Sequence, residues 1–266
     1  MTGPARPCRR WVTLVTAALV ATGCGGQGEP GGPTRLVVFA AASLTEAFEA
    51  LASDFEAAHP GVVVDLHLAG TPTLVFQLRE GARAGSVAAD VVATADDASM
   101  RDLVEAGMVL RPVVFARNRL AIAVPPGNPA GVGEVADLGR PGLRVALADP
   151  AVPAGRYTEE VLARAGVEVH RPSREPSVKA VATRIELGEA DAGVVYVTDV
   201  RAARGRLEAV AIPGAGVVAR YPIAVTAGTE QRQAAEAFVA FVRSASGQEV
   251  LAGAGFLASA GEPVPG

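Results

Sequence analysis

From about residue 35 to residue 254 the chain alternates short apolar runs of strand character with longer segments whose apolar residues recur at helical spacing. That alternation constrains the fold more than any other feature. Strands that alternate with helices bury their apolar faces most readily as a largely parallel sheet covered by the helices. "RLVVFAA" (35–41) reads as a strand, and residues 44–57 then place Leu44, Phe48, Leu51 and Phe55 on one helical face. "GVVVDLHLAG" (61–70) alternates Val62, Val64, Leu66 and Leu68 as a second strand. "TPTLVFQLREGA" (71–82) reads as a helix with Pro72 at its first position. Further strands are predicted at 89–96, 119–129, 143–150, 191–199 and 220–228. Further helices are predicted at 97–107, 157–166, 177–188, 230–245 and about 247–254. The expected class is α/β with open, mainly parallel sheets. In such sheets ligands gather beyond the carboxyl ends of strands, where helix N-termini meet.

The N-terminus lies outside this alternation. Arg6, Arg9 and Arg10 precede the apolar "WVTLVTAALVA", which is too short to span a bilayer. Basic, apolar and small residues in that order describe a secretory signal over residues 1–23. "VATGC" resembles a bacterial lipobox in which Cys24 becomes the lipidated first residue, although Ala21 stands where leucine is commoner. Residues 24–34, "CGGQGEPGGPT", form a Gly/Pro-rich tether. The other cysteine, Cys8, is inside the signal, so the mature body has neither a disulfide nor a cysteine-based metal site. Removing the three signal arginines leaves 21 basic against 28 acidic residues. That balance argues against a nucleic-acid partner, and any bound anion must be held by local donors rather than a global positive field.

The strand-to-helix junctions are therefore the places to search. In "AAASLTE", Ser43 and Glu46 have capping-box spacing, and free N–H groups, a hydroxyl and a positive dipole end converge there. In "LAGTPTL", Thr71 is the expected N-cap, and Gly70 allows the backbone to approach a ligand. "LADPAVPAGRY" (147–157) is a rigid loop in which Ala154 and Gly155 leave N–H groups unobstructed. In "EPSVKAV", Ser177 caps a helix whose first turn includes Val178. In "GVVYVTD", Tyr196 is polar within an apolar strand, either as a core tyrosine with its hydroxyl at the rim or as a ligand contact. The three histidines, His59, His67 and His170, belong to no triad or metal motif, and no P-loop, Gly-x-Ser-x-Gly or dinucleotide fingerprint occurs. An enzyme is not expected.

Taken in order, "VFAAASLTEAF", "AGTPTLVFQL", "ADVVATAD", "LADPAVPAGRY" and "GVVYVTD" resemble the periplasmic molybdate-binding proteins of ABC importers. The resemblance covers about residues 35 to 256. It is most specific at "FAAASL" and at Asp149, Pro150, Val152, Pro153, Ala154, Gly155 and Tyr157. It implies the two-lobed, type II periplasmic-binding-protein fold, with lobe one at 35–118 and 222–266, lobe two at 119–221, and two crossover strands between them. It implies a cleft in which Ser43 and Thr71 act through backbone N–H and hydroxyl, Ala154 and Val178 through backbone N–H, and Tyr196 through its phenol. These groups would hold the oxygens of molybdate, or of the nearly isosteric tungstate, without touching the metal. The anion is a transported ligand, and no cofactor is implied. The implied partners are an ABC permease and, through lipidated Cys24, the membrane; the protein is expected to be a monomer.

Elementary chemistry agrees with that carry-over. Molybdate is an unprotonated dianion at neutral pH, so its oxygens only accept hydrogen bonds and a matching cavity needs donors alone. A carboxylate in a dry site would repel it. Sulfate differs in size, and phosphate carries a proton that would need an acceptor. A sulfate-like oxyanion or a small organic anion remains the alternative ligand. The chain departs from the family in two places: Pro72 stands where another serine is usual, and the link at 80–92 is some four residues longer, which could alter the cleft rim near Ala89 and Asp90.

Overall fold

In the computed structural model the described residues are 1–3, 32–213, 217–259 and 264. The expected signal core, the lipidation site Cys24 and the tether up to residue 31 lie outside them. The elements run in the order β1 (Thr34–Ala41), α1 (Thr45–Ala58), β2 (Val62–Ala69), α2 (Thr71–Arg83), β3 (Val91–Ala93), α3 (Asp97–Glu105) and β4 (Val109–Val124). They continue as β5 (Val145–Ala148), α4 (Pro153–Ala165), β6 (Ser173–Glu175), α5 (Val178–Glu186), β7 (Ala192–Tyr196), α6 (Val197–Ala202) and β8 (Glu208–Ala211). The last elements are β9 (Val218–Thr226), α7 (Arg232–Arg243), α8 (Ala245–Ala254) and β10 (Leu257–Ala258).

The strands form one path, β2-β1-β3-β9-β4-β7-β5-β6, with β8 and β10 also paired to β4. Two parallel clusters, β2-β1-β3 and β7-β5-β6, give the α/β character expected from the alternation. Antiparallel pairs occur where β4 and β9 join them. The early part of β4 pairs with β9, from Val109 opposite Thr226 to Arg119 opposite Val218. Its later part pairs with β7, from Leu120 opposite Tyr196 to Ala123 opposite Gly193. One long strand thus passes from one cluster to the other.

Sequence periodicity places this strand at 119–129, whereas it begins at Val109 and ends at Val124. Its early part carries Pro112 and two register shifts, with Arg111 at φ 45, so the alternation there is broken. Pro125 and Pro126 stop it, because proline cannot continue the ladder. The strand expected at 191–199 stops at Tyr196, where α6 takes over. That places Tyr196 at the carboxyl end of β7, the position that faces a ligand in α/β sheets.

The predicted apolar face of α1 is real. Phe48 and Phe55 are fully buried and meet Phe238 of α7 edge-on, at ring-centroid distances of 6.2 and 5.2 Å. This packing fixes where α1 begins, and so holds the β1–α1 junction in place.

Candidate functional site

The five residues singled out at the junctions, Ser43, Thr71, Ala154, Val178 and Tyr196, line a single cleft. Its walls stand close together and leave a cavity of only about 10 Å³ between them. All five are buried, between 1 % and 6 % exposed. Roomier grooves exist, including one of about 410 Å³ between α7 and the β4–β9 pair. The small cleft is the one that sits where several helices start. Ser43 and Thr71 come from the β1–β2 side, and Ala154, Val178 and Tyr196 from the β5–β7 side.

The capping box expected at Ser43 and Glu46 does not form. A short 3-10 turn, Ala42–Leu44, precedes α1, and neither segment has a side-chain cap. The turn rotates Ser43 inward, where its Oγ lies 3.0 Å from the Tyr221 hydroxyl. Glu46 instead pairs with Lys179 of α5, across the cleft. The second junction also differs from expectation. Gly70, not Thr71, is the N-cap, with Thr71 first and Pro72 second in α2. The N–H that proline lacks is one that has no partner within the helix in any case. Thr71 Oγ1 accepts a hydrogen bond from Ala95 N at 3.3 Å, which leaves its own proton available to donate.

The two glycines also have packing roles that the sequence does not reveal. Gly70 has φ −58, which any residue adopts. A Cβ there would stand 2.7 Å from the carbonyl oxygen of Pro176, on the opposite wall of the cleft. Its value lies in letting the two walls approach. At Gly155 a Cβ would stand 2.0 Å from the Asp149 carbonyl oxygen, so tight packing at the start of α4 excludes any side chain. Ser177 does cap α5, accepting from Ala180 N at 3.2 Å, and Val178 follows as the first helical residue. The first-turn N–H groups of α2, α4 and α5 have no partners within their helices, and the positive dipole ends lie at the same place.

Tyr196 stands out electrostatically. Its hydroxyl is buried and has no hydrogen-bond partner among the described residues. Its ring packs edge-on against Tyr221 at 5.8 Å. The two hydroxyls are near enough to influence each other, but their geometry is not that of a hydrogen bond. Burial drives the Tyr196 phenol well above its ordinary pKa, and Tyr221, Tyr157, Asp199 and Asp96 push it the same way. It is therefore a protonated donor at any physiological pH. No carboxylate is among the described residues that line the cleft.

Three residues behind the cleft wall escaped the sequence reading. Tyr221 of β9 shares a hydrogen bond with Ser43 Oγ, Asn118 of β4 donates to Thr198 Oγ1 at 2.8 Å, and Asp199 accepts the Tyr196 backbone N–H at 2.9 Å. The spacing of Asp199, three residues after a strand end, was the one available signal. Its complete burial raises its pKa to about 7; the Tyr196 N–H and Lys179 oppose the rise, and Glu46 adds to it. The longer link at 80–92 leaves the cleft untouched. Helix α2 absorbs its first residues, and Asp90 is tied instead to Val37 N at 2.8 Å and Thr229 Oγ1 at 2.5 Å.

Two parallel clusters joined by long antiparallel strands, with helix starts converging on a cleft between them, are the architecture of a two-walled ligand-binding cleft. The chain belongs to the bacterial extracellular solute-binding protein family, whose profile matches residues 36–257. This is a family of non-enzymatic transport components. The molybdate-binding protein ModA of Mycobacterium tuberculosis (strain H37Rv) is 40% identical over 262 residues, spanning 93% of this chain and 98% of the relative. The periplasmic molybdate-binding protein of Azotobacter vinelandii superposes with a TM-score of 0.73 at 20% identity, over 84% of this chain and 99% of its own. The sulfate-binding protein SubI of M. tuberculosis H37Rv gives the same TM-score of 0.73 at 21% identity, over 85% and 88% of the two chains. At those identities the structural likeness bears on the fold alone. Among the described residues, no helix is long and apolar enough to cross a membrane.

Proposed function

We propose that the protein captures molybdate, and tungstate with it, in the cleft between two lobes. The observation that carries this reading is the Tyr196 hydroxyl, buried without a partner on a wall that has donors and no carboxylate. A buried, unpaired hydroxyl costs about 1–3 kcal/mol, so its retention makes sense when a ligand supplies the acceptor. A tetrahedral dianion does so, and its remaining oxygens meet the Ser43 and Thr71 hydroxyls and N–H groups and the N–H groups of Ala154 and Val178. Neutral donors and helix dipoles offset the charge without an arginine clamp, which keeps release possible. The name of the 40%-identical mycobacterial relative points to the same anion.

In this reading the lobes are residues 35–118 with 222–266 and residues 119–221, and β4 and β9 are the connections about which they close. Delivery is to an ABC permease, by a monomer held to the membrane through lipidated Cys24. A sulfate-like anion is the second reading, because a lining of neutral donors without a carboxylate also suits that unprotonated dianion. Calorimetric titration of the mature protein with molybdate, tungstate, sulfate and phosphate separates the two. Saturable heat at one anion per chain is expected for the first two only. Binding of sulfate alone would overturn the molybdate assignment.

A further inference from the structure

Among the described residues, two ion pairs join helices on opposite sides of the cleft, outside its lining. Glu46 of α1 meets Lys179 in the first turn of α5. Asp96, the N-cap of α3, meets Arg156 of α4 at 2.9 Å. In each pair the acid comes from the β1–β3 side and the base from the β5–β7 side. None of the four is among the residues lining the cleft. The Asp96 side chain is only 5% exposed, and it also accepts from Ser99 N at 2.6 Å and Ser99 Oγ at 3.0 Å. Gly70, too, brings its backbone against the Pro176 carbonyl of the facing wall so closely that a methyl group would not fit.

We infer that these two pairs are a clasp that sets how tightly the site holds its ligand, with Glu46, Lys179, Asp96 and Arg156 as positioning residues. The inference rests on the two-lobe reading above. Opening the cleft must part both pairs, because their members sit on opposite walls. The clasp therefore adds to the closed state alone, and a ligand that binds best when both walls contact it gains affinity from anything that favours closure. Its contribution appears in the dissociation rate, since the ligand leaves only after the walls separate.

The acids give the sharper test. Glu46 and Asp96 carry negative charge close to an anion site. If they acted only through their field, neutralising them would tighten anion binding; if they act as a clasp, it weakens binding. Glu46→Gln and Asp96→Asn keep shape, and asparagine still caps α3. The mature protein and both variants are titrated with molybdate, and dissociation is followed by stopped flow. Each variant is expected to bind about two- to fivefold more weakly, the range of one partly exposed ion pair, with the change in the off-rate. The double variant is expected to lose about the product of the two factors. Added salt is expected to weaken wild type more than the double variant. Equal or tighter binding by both variants would overturn the clasp.

A second arm needs no ligand. Small-angle scattering at low salt is expected to show ligand-free wild type more compact on average than the double variant. Identical profiles would overturn the clasp, even if wild type failed to bind molybdate and the functional reading fell separately.

Discussion

Replacing Tyr196 with phenylalanine removes one oxygen from the cleft wall and nothing else. In the ligand-free protein that oxygen is buried and unpaired, so its loss removes a desolvation penalty of about 1–3 kcal/mol less whatever stray polar contact it makes. The ring's edge-on contact with Tyr221 survives the change. The ligand-free variant should therefore melt at or above the wild-type temperature, by up to about 4 °C per kcal/mol gained at this chain length. Binding should move the other way. A hydrogen bond to a charged acceptor contributes about 1.5–3 kcal/mol, equivalent to a roughly ten- to hundredfold weaker Kd for molybdate. Opposite signs for stability and affinity are the signature of a group held in reserve for a ligand. Ser43→Ala is the natural control, because Ser43 Oγ already engages the Tyr221 hydroxyl. Its removal should both weaken binding and destabilise the ligand-free protein, by about 1 kcal/mol. Calorimetry and ligand-free thermal melts on the two variants decide the matter. A Tyr196→Phe protein that melts several degrees lower and binds molybdate unchanged would refute the reasoning.

Gly70→Ala should weaken molybdate binding at least tenfold and also lower the ligand-free melting temperature, because the added methyl meets the Pro176 carbonyl whenever the two walls are shut. Unchanged affinity would show that closure does not need that approach. Gly155→Ala should cost about 1–3 kcal/mol of stability with or without ligand, since a Cβ at 2.0 Å from the Asp149 carbonyl oxygen forces the backbone to move; a melt within a degree of wild type would contradict it. Asp199 supplies a pH dependence. Its pKa is raised by burial to about 7 in the folded state, against about 4 unfolded, so the folded protein holds the extra proton between those values. The stability it contributes is full below pH ~4 and is lost as pH rises through ~7, by at most about 4 kcal/mol. Asp199→Asn should accordingly gain on wild type in melting temperature from pH 5 to pH 8. A constant difference across that range would mean that the carboxyl titrates normally.

Much of the fold and of the site was legible in the residues. The α/β class followed from periodicity, since Leu44, Phe48, Leu51 and Phe55 must share one face whatever they pack against. The five cleft residues could be picked out because strand ends and helix starts leave local marks: Ser177 before an apolar helix, Pro153 in a first turn, Tyr196 alone among valines. The resemblance of the junction motifs to a known family is what implied that all five meet in one cleft, since no local mark carries that information. Early β4 was not legible, because Pro112 and the bulges around Arg111 break the alternation that marks a strand.

What only the tertiary structure decided is where each polar group points. Ser43 and Glu46 have capping-box spacing, yet Ser43 meets a tyrosine 178 residues away and Glu46 a lysine 133 residues away. Gly70 reads as room for a ligand, and only the structure adds that it is also room for Pro176 on the facing wall. Tyr221, Asn118 and Asp199 carry no motif and gain their roles from what stands beside them. The physical reason is range. Helix caps, strand faces and turns are settled within a few residues, so spacing records them. A hydroxyl or carboxylate with several local options takes the partner that leaves the fewest buried groups unsatisfied, and that partner is known only once distant strands are side by side.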